Sequence, residues 1–326
     1  MKAIIPAAGI GTRLRPHTYT LPKALLYVAG RPIISHILDD VRKLDVSSVV
    51  LIVGYKGELI EEYVSREYKD LDTEFVYQNE RLGIGHAVYL TRKVANTGDP
   101  VLIILGDTIL RTDLERVVDS GTNVLGVKEV DDPRRFGVCE VRGGRIVRLV
   151  EKPQDPPSNL ALVGLYYLRD SSLLFETLER QVEGDVRNQG EYQITDALQM
   201  MIDHGAEFRT FEIRDWFDCG KPEALLETNR QLLIGKDEIP RTEGSIVIPP
   251  VSIAPSARVV NSIVGPYVSI AAGSTVENSI IRDSVLDQGA NVCNCLLQGS
   301  IVGSQAVVRG GFQHLNIGDS SEVVFD

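Results

Sequence analysis

From about Ser245 onward, aliphatic residues recur at a spacing that few folds can use. Ile253, Val259, Val264, Ile270, Val276, Ile281, Leu286, Val292, Leu297, Val302 and Val308 follow one another at intervals of 6, 5, 6, 6, 5, 5, 6, 5, 5 and 6. Neither a helix, with period 3.6, nor an alternating strand, with period 2, keeps such residues on one side. Small and turn-forming residues fill the gaps, as in Pro255-Ser256-Ala257 and Gln288-Gly289-Ala290-Asn291. A repeat near six that closes a coil every 16 to 17 residues predicts a parallel β-helix of the left-handed, hexapeptide-repeat kind, with about four coils. One coil cannot bury its aliphatic rung alone, so the coils must stack.

Upstream the texture differs. Lys2–Ile5, residues 48–54, Glu74–Gln78 and Val101–Leu105 read as short strands. Helical patterns at 57–68 and 85–96 fall between them. Val101–Leu105 is continuously apolar, as expected of a strand covered on both faces. Such alternation predicts an α/β domain with a mainly parallel, Rossmann-like sheet and flanking helices. The segment VCEVRGGRIVRLVEKP predicts an antiparallel hairpin turning at Gly143-Gly144. A stretch containing Pro240, Gly244, Pro249 and Pro250 separates the two textures, dividing the chain into domains 1–240 and 241–326.

The net charge of −11 argues against a sequence-independent binder of nucleic acid. No apolar run approaches the ~20 residues of a membrane span. The N-terminus carries no signal-peptide pattern, so a cytoplasmic location is the expectation. Cys139, Cys219, Cys293 and Cys295 form no C-x-x-C pair and read as reduced, structural thiols.

Against that acidic background, PAAGIGTRLRP at residues 6–16 is unusual. A strand runs into two glycines and then Thr12, Arg13 and Arg15, with Lys23 shortly after. Pro16 and Pro22 bracket HTYTL, which reads as an ordered loop. Ligands of open α/β sheets bind beyond the carboxyl ends of the strands. Gly9 and Gly11 allow close backbone approach to a phosphate, and guanidinium groups hold phosphate oxygens in pairs. The loop is neither a full G-x-G-x-x-G, since position 14 is Leu14, nor a Walker A loop.

Other segments carry chemistry of their own. Gln78 closes a strand with an amide that can both donate and accept, as the imide edge of uracil or thymine requires. GIGHAV begins a helix after a glycine turn. Asp107 in LGDTIL and Asp218 in WFDCGKPEALLE could together hold one Mg²⁺, which takes one or two carboxylates and completes its shell with phosphate and water. RLVEKP sets Glu151 beside Lys152.

GIGTRLRPHTYTLPKALLYVAGRPII resembles the signature of the sugar-1-phosphate nucleotidyltransferases, the nucleotide-sugar pyrophosphorylases. The resemblance implies that Ala8, Gly9, Gly11, Thr12 and Arg13 hold the phosphates of a nucleoside triphosphate and that Lys23 meets the reacting phosphates. It implies a base site at Gln78 and Gly83 and a Mg²⁺ site at Asp107 and Asp218. It implies a sugar-phosphate site of Gly137, Glu151, Lys152, Gly164, Tyr166 and Thr195, with Arg13, Lys23 and Lys152 as the catalytic cations. GIGHA and NQGEYQITD are similar to the N-acetylglucosamine-1-phosphate uridylyltransferases, although Gln193 stands where those often have Tyr. The E-K-P and WFDCG segments look closer to the glucose-1-phosphate thymidylyl- and uridylyltransferases.

The expected substrates are therefore dTTP or UTP and a sugar-1-phosphate. An N-acetylglucosamine-1-phosphate uridylyltransferase, a GDP-mannose-forming enzyme and a non-catalytic nucleotide-sugar-binding regulatory subunit are the alternatives. Bifunctional relatives use a longer β-helix for acetyl transfer with a catalytic His, and only His314 lies in this region. A short coil stack exposes edges, so a homo-oligomer is expected.

Overall fold

A computed structural model describes residues 1–240 and 242–311, which leaves His314 outside. The chain divides into two compact units between Thr228 and Asn229.

The first unit is built on a nine-stranded mixed sheet. Strands Thr73–Tyr77, Ser48–Val53, Lys2–Pro6 and Val101–Ile104 lie side by side and parallel. Leu160–Leu168 continues the sheet antiparallel to Val101–Ile104. Asn123–Glu129 and the hairpin Gly137–Arg142/Arg145–Glu151 pair with that strand, and Phe208–Glu212 closes the edge. Alternate side chains of each parallel strand enter opposite cores, as the two-residue strand period dictates. Ile5, Leu51 and Leu102 join one apolar cluster, whereas Ile4, Val50 and Ile103 join the other. The first cluster is covered by helices Ile33–Val41 and Gly57–Glu67, the second by Ile84–Leu90, Ser171–Glu183 and Ile194–Asp203.

The expected helix 85–96 is broken. Ile84–Leu90 ends at Thr91, and Arg92–Ala95 follows as a separate turn. Thr91 is fully buried and its hydroxyl donates to the carbonyl of Val88 at 2.7 Å, which competes with the helical ladder. The loop HTYTL contains a short 3-10 turn at His17–Tyr19.

The strand Lys2–Pro6 has later strands on both flanks, so the order of connection reverses there. Open α/β sheets bind ligands outside such a switch point. The backbone confirms a tight convergence: Gly106 N donates to Pro6 O at 2.9 Å and Ala7 N to Ile52 O at 2.7 Å. A Cβ at Gly106 would stand 2.8 Å from Pro6 O, so only glycine lets these two loops meet.

The second unit is a left-handed parallel β-helix of three four-stranded parallel sheets. In one sheet Ile246, Ile263, Ile280 and Leu296 stack in register, and in another Val259, Val276, Val292 and Val308 do so. The inward rungs Val264, Ile270, Val276, Ile281, Leu286 and Val292 are fully buried. Hydroxyls pair the corners of successive coils. Ser262 Oγ accepts from Ser279 N at 3.1 Å, and Ser279 Oγ accepts from Cys295 N at 3.1 Å. Asn261, Asn278 and Asn294 occupy left-handed corners at φ 47°, 48° and 55°, a conformation Asn tolerates better than most residues. The end of helix Pro222–Leu233 belongs to this unit: Ser269 Oγ donates to Asn229 Oδ1 at 2.6 Å, and Arg230 pairs with Asp283.

Candidate active site

Two clusters of expected residues form in the first unit. The first surrounds a cavity of ≈ 320 Å³ beyond the carboxyl ends of the parallel strands. Ala8, Gly9, Lys23, Gln78, Gly83 and Asp107 line it. Lys23 is only 6% exposed, and its Nζ lies 2.6 Å from Asp107 Oδ2. Gly11 makes this burial possible. It turns at φ 68°, and a Cβ there would stand 3.1 Å from both Lys23 Cβ and Thr18 Cγ2. The Thr18 hydroxyl donates to the Gly11 carbonyl at 2.9 Å and holds the loop.

Asp218 comes to Asp107 through the backbone. Strand Asp215–Asp218 pairs antiparallel with Thr108–Arg111, with Asp218 opposite Thr108. Cys219 N also donates to Asp107 O at 3.3 Å. Gly220 then packs against both Asp218 and Arg13: a Cβ there would be 2.9 Å from Asp218 Oδ1 and 3.1 Å from Arg13 Nη2. Arg13 and Thr12 are exposed at this rim, outside the cavity lining. Among the described residues no group of three or more His, Cys, Asp or Glu side chains could hold a metal ion. Two carboxylates still suit a Mg²⁺ that arrives with phosphate oxygens and water. Asp107, with a side chain 45% exposed beside the cavity, fits that role.

Elsewhere in the lining, Gln78 Nε2 donates to Gly83 O at 3.0 Å. Gly83 has φ 100°, and a Cβ there would be 2.5 Å from Tyr192 O. The segment NQGEY thus presses directly on the GIGH turn. Tyr192 N donates to Leu82 O at 2.7 Å and Gly85 N to Tyr192 O at 2.8 Å.

The second cluster gathers Gly137, Glu151 and Thr195. Thr195 Oγ1 donates to Glu151 Oε2 at 2.6 Å, with Thr195 buried and the Glu151 side chain 10% exposed. Gly137 lies against both, since a Cβ there would be 2.9 Å from Thr195 Oγ1 and 3.0 Å from Glu151 Oε2. Lys152 Nζ is 3.5 Å from Glu151 Oε1, and Lys152 holds a left-handed φ of 41°. Such backbone strain in a non-glycine residue clusters at functional sites. Tyr166 is buried between the clusters. Burial, with Glu151 and Asp107 adding to it, pushes its phenol far above the ordinary value, so the hydroxyl stays protonated. The side of Gly164 that a Cβ would fill holds Leu105, at 2.6 Å. That glycine lets Leu105, at the end of the central strand, pack closely.

Arg81 and Glu191 also line the cavity, and sequence reasoning did not single them out. Their only signal is position: Arg81 lies between Gln78 and Gly83, and Glu191 sits inside NQGEY. Glu191 is held by Gln193, whose Nε2 donates to its Oε2 at 3.0 Å.

The family model described as Nucleotidyl transferase matches residues 2–234. The chain is 37% identical over 275 residues to a glucose-1-phosphate thymidylyltransferase of Streptomyces antibioticus, covering 80% of this chain and 75% of that protein. It is 33% identical over 241 residues to the UTP–glucose-1-phosphate uridylyltransferase AglF of Haloferax volcanii, covering 71% and 96%. It is 37% identical over 240 residues to the bifunctional protein GlmU of Methanococcus maripaludis, but spans only 54% of that protein. A solved UDP-glucose pyrophosphorylase complexed with UDP-glucose superposes with a TM-score of 0.61 at 25% identity, covering 71% of this chain and 97% of that one.

Proposed function

Because the chain belongs to the nucleotidyl transferase family, whose members join a nucleotide to a sugar-1-phosphate, we propose that it transfers a thymidylyl or uridylyl group from dTTP or UTP to glucose-1-phosphate. The observation that carries this reading is one cavity lined both by the Lys23–Asp107 pair and by the Gln78–Gly83 pair. A triphosphate needs cations, and the imide N–H of uracil or thymine needs an acceptor, which Gln78 Oε1 would supply while its amide nitrogen is bonded to Gly83 O.

In the proposed reaction a phosphate oxygen of the sugar-1-phosphate attacks the α-phosphorus in line. The bond to the bridging oxygen breaks, and pyrophosphate leaves. The nucleophile is already anionic, so no strong general base is required. The obstacle is repulsion between two anions, and preorganised cations lower it. Lys23 stands at the cavity wall for the reacting phosphates, and Arg13 at the rim for the leaving group. Lys152 would hold the sugar phosphate while Glu151, oriented by Thr195, accepts from sugar hydroxyls. Asp107 and Asp218 would hold Mg²⁺, which when bound supplies further charge neutralisation on the phosphates.

The test is pyrophosphate release with Mg²⁺ across four nucleoside triphosphates and glucose-, N-acetylglucosamine-, galactose- and mannose-1-phosphate. A signal confined to dTTP or UTP with glucose-1-phosphate supports the reading. Preference for N-acetylglucosamine-1-phosphate would favour a second one, motivated by the GIGHA and NQGEY segments and the GlmU relatives. GTP with mannose-1-phosphate would overturn the base assignment. Silence from folded protein would favour a regulatory subunit. A homo-oligomer belongs to the same proposal: Ile246, Ile263, Ile280 and Leu296 form an apolar column, Leu296 being 80% exposed, that a second copy would cover. Mass in solution tests it.

A further inference from the structure

The amide of Gln78 is locked by a second contact that the base reading does not use. Its Nε2 donates to Gly83 O at 3.0 Å and also faces His86 Nδ1 at 3.3 Å. A backbone carbonyl can only accept, so the atom facing Gly83 O is the amide nitrogen. The same nitrogen meets His86, so His86 Nδ1 must accept and its proton must sit on Nε2. Both amide hydrogens are then used. Oε1 has no protein donor among the described residues, and Gln78 lines the cavity.

We propose that neutral His86 is a positioning residue for nucleobase choice: it fixes the Gln78 amide so that only an acceptor, Oε1, faces the base. This rests on the reading that the cavity holds a nucleobase. An imide N–H of uracil or thymine meets that acceptor directly. Cytosine, whose ring nitrogen at that place is itself an acceptor, meets it with a clash of lone pairs. The GIGH turn supplies the rest of the wall, so rotating the amide would turn Oε1 against Gly83 O as well.

The surroundings keep the imidazole neutral. Burial lowers its pKa below the ordinary 6.5; Glu80 opposes this and Arg187 adds to it. Arg187 is itself paired with Asp185 and lies over the Tyr192 ring, whose centroid is 6.1 Å from that of His86. Protonation would turn Nδ1 into a donor facing a donor. The sign follows: nucleotide affinity is full above the His86 pKa and is lost as pH falls through it.

Calorimetric titration of UTP, dTTP and CTP with Mg²⁺ into the full chain, at several pH values between about 5.5 and 8, tests this without an acceptor sugar. His86→Phe keeps a ring beside Tyr192 and removes the acceptor. It should weaken UTP or dTTP binding roughly tenfold, the scale of one hydrogen bond, and narrow the preference over CTP. His86→Asn returns an acceptor and should recover most of both. The ratio of wild-type to variant affinity cancels titration of the nucleotide's own phosphate, and it should fall on the acid side. A ratio constant with pH and unchanged base preference in His86→Phe would overturn the positioning role while leaving the nucleotide site intact. If that variant does not fold, the same pH ratio against His86→Asn decides. Absence of any nucleotide binding by folded wild type would overturn the underlying reading, and this inference with it.

Discussion

Lys23 and Asp107 lie 84 positions apart in sequence and 2.6 Å apart in space. Their burial is unequal: Lys23 is nearly enclosed, whereas Asp107 opens toward the cavity. The lysine is held in place by this partly solvated carboxylate. A paired ammonium is cheaper to bury than an unpaired one.

Lys23→Met should therefore lower turnover by about 10²–10³-fold, the scale of losing one preorganised group at a developing charge. Asp107→Asn should also lose most turnover, and it should fold but melt lower, because the nearly enclosed Lys23 ammonium loses its carboxylate partner. Pyrophosphate release and thermal melts on both variants check this. Near-normal activity in Asp107→Asn would remove the carboxylate from the metal assignment.

Gly83→Ala asks a β-carbon to sit 2.5 Å from Tyr192 O at a φ of 100°. Left-handed strain of about 1–3 kcal/mol adds to displacement of the NQGEY segment. The variant should melt lower and bind nucleotide more weakly. Gly121→Ala is the control, with φ 69° but open space around it, and should cost only about 1–2 kcal/mol. Equal losses in the two would mean that the contact with Tyr192 contributes nothing.

Thr195→Val removes the hydroxyl that donates to Glu151 at 2.6 Å. The carboxylate loses its orientation, so the sugar-phosphate KM should rise roughly tenfold, the equivalent of about 1.4 kcal/mol. The nucleotide KM should hold. Gly137→Ala, which drives a methyl into the same pair, should act in the same direction. If the nucleotide KM moved instead, the two clusters would not be separate subsites.

Burial pushes the Cys139 thiol up to about 11 and the Cys219 thiol up to about 12. At pH 8 both stay protonated and shielded, so neither should react with a disulfide reagent in the native state. Cys293 is the half-buried thiol and should react first; Cys293→Ser should abolish the fast phase. The other thiols should titrate only in denaturant. Rapid native reaction of Cys219 would reveal opening beside Asp107.

Periodicity alone determined the β-helix, because each coil meets the next 16 or 17 residues later and the same side chain recurs at each contact. The corner asparagines at 261, 278 and 294 share that spacing and were legible in hindsight. The parallel strands were also legible, since a strand covered on both faces is apolar throughout. The break at Thr91 was not, because a buried hydroxyl turns back on its own helix only where packing excludes water. Glycine spacing marked the loop after the first strand, but only the folded sheet brought Lys23 onto Asp107, Thr195 onto Glu151, and His86 onto Gln78. Local residues determine local backbone. A site assembled from distant loops depends on which strand ends the sheet places side by side, and the short range of hydrogen bonds makes that placement decisive.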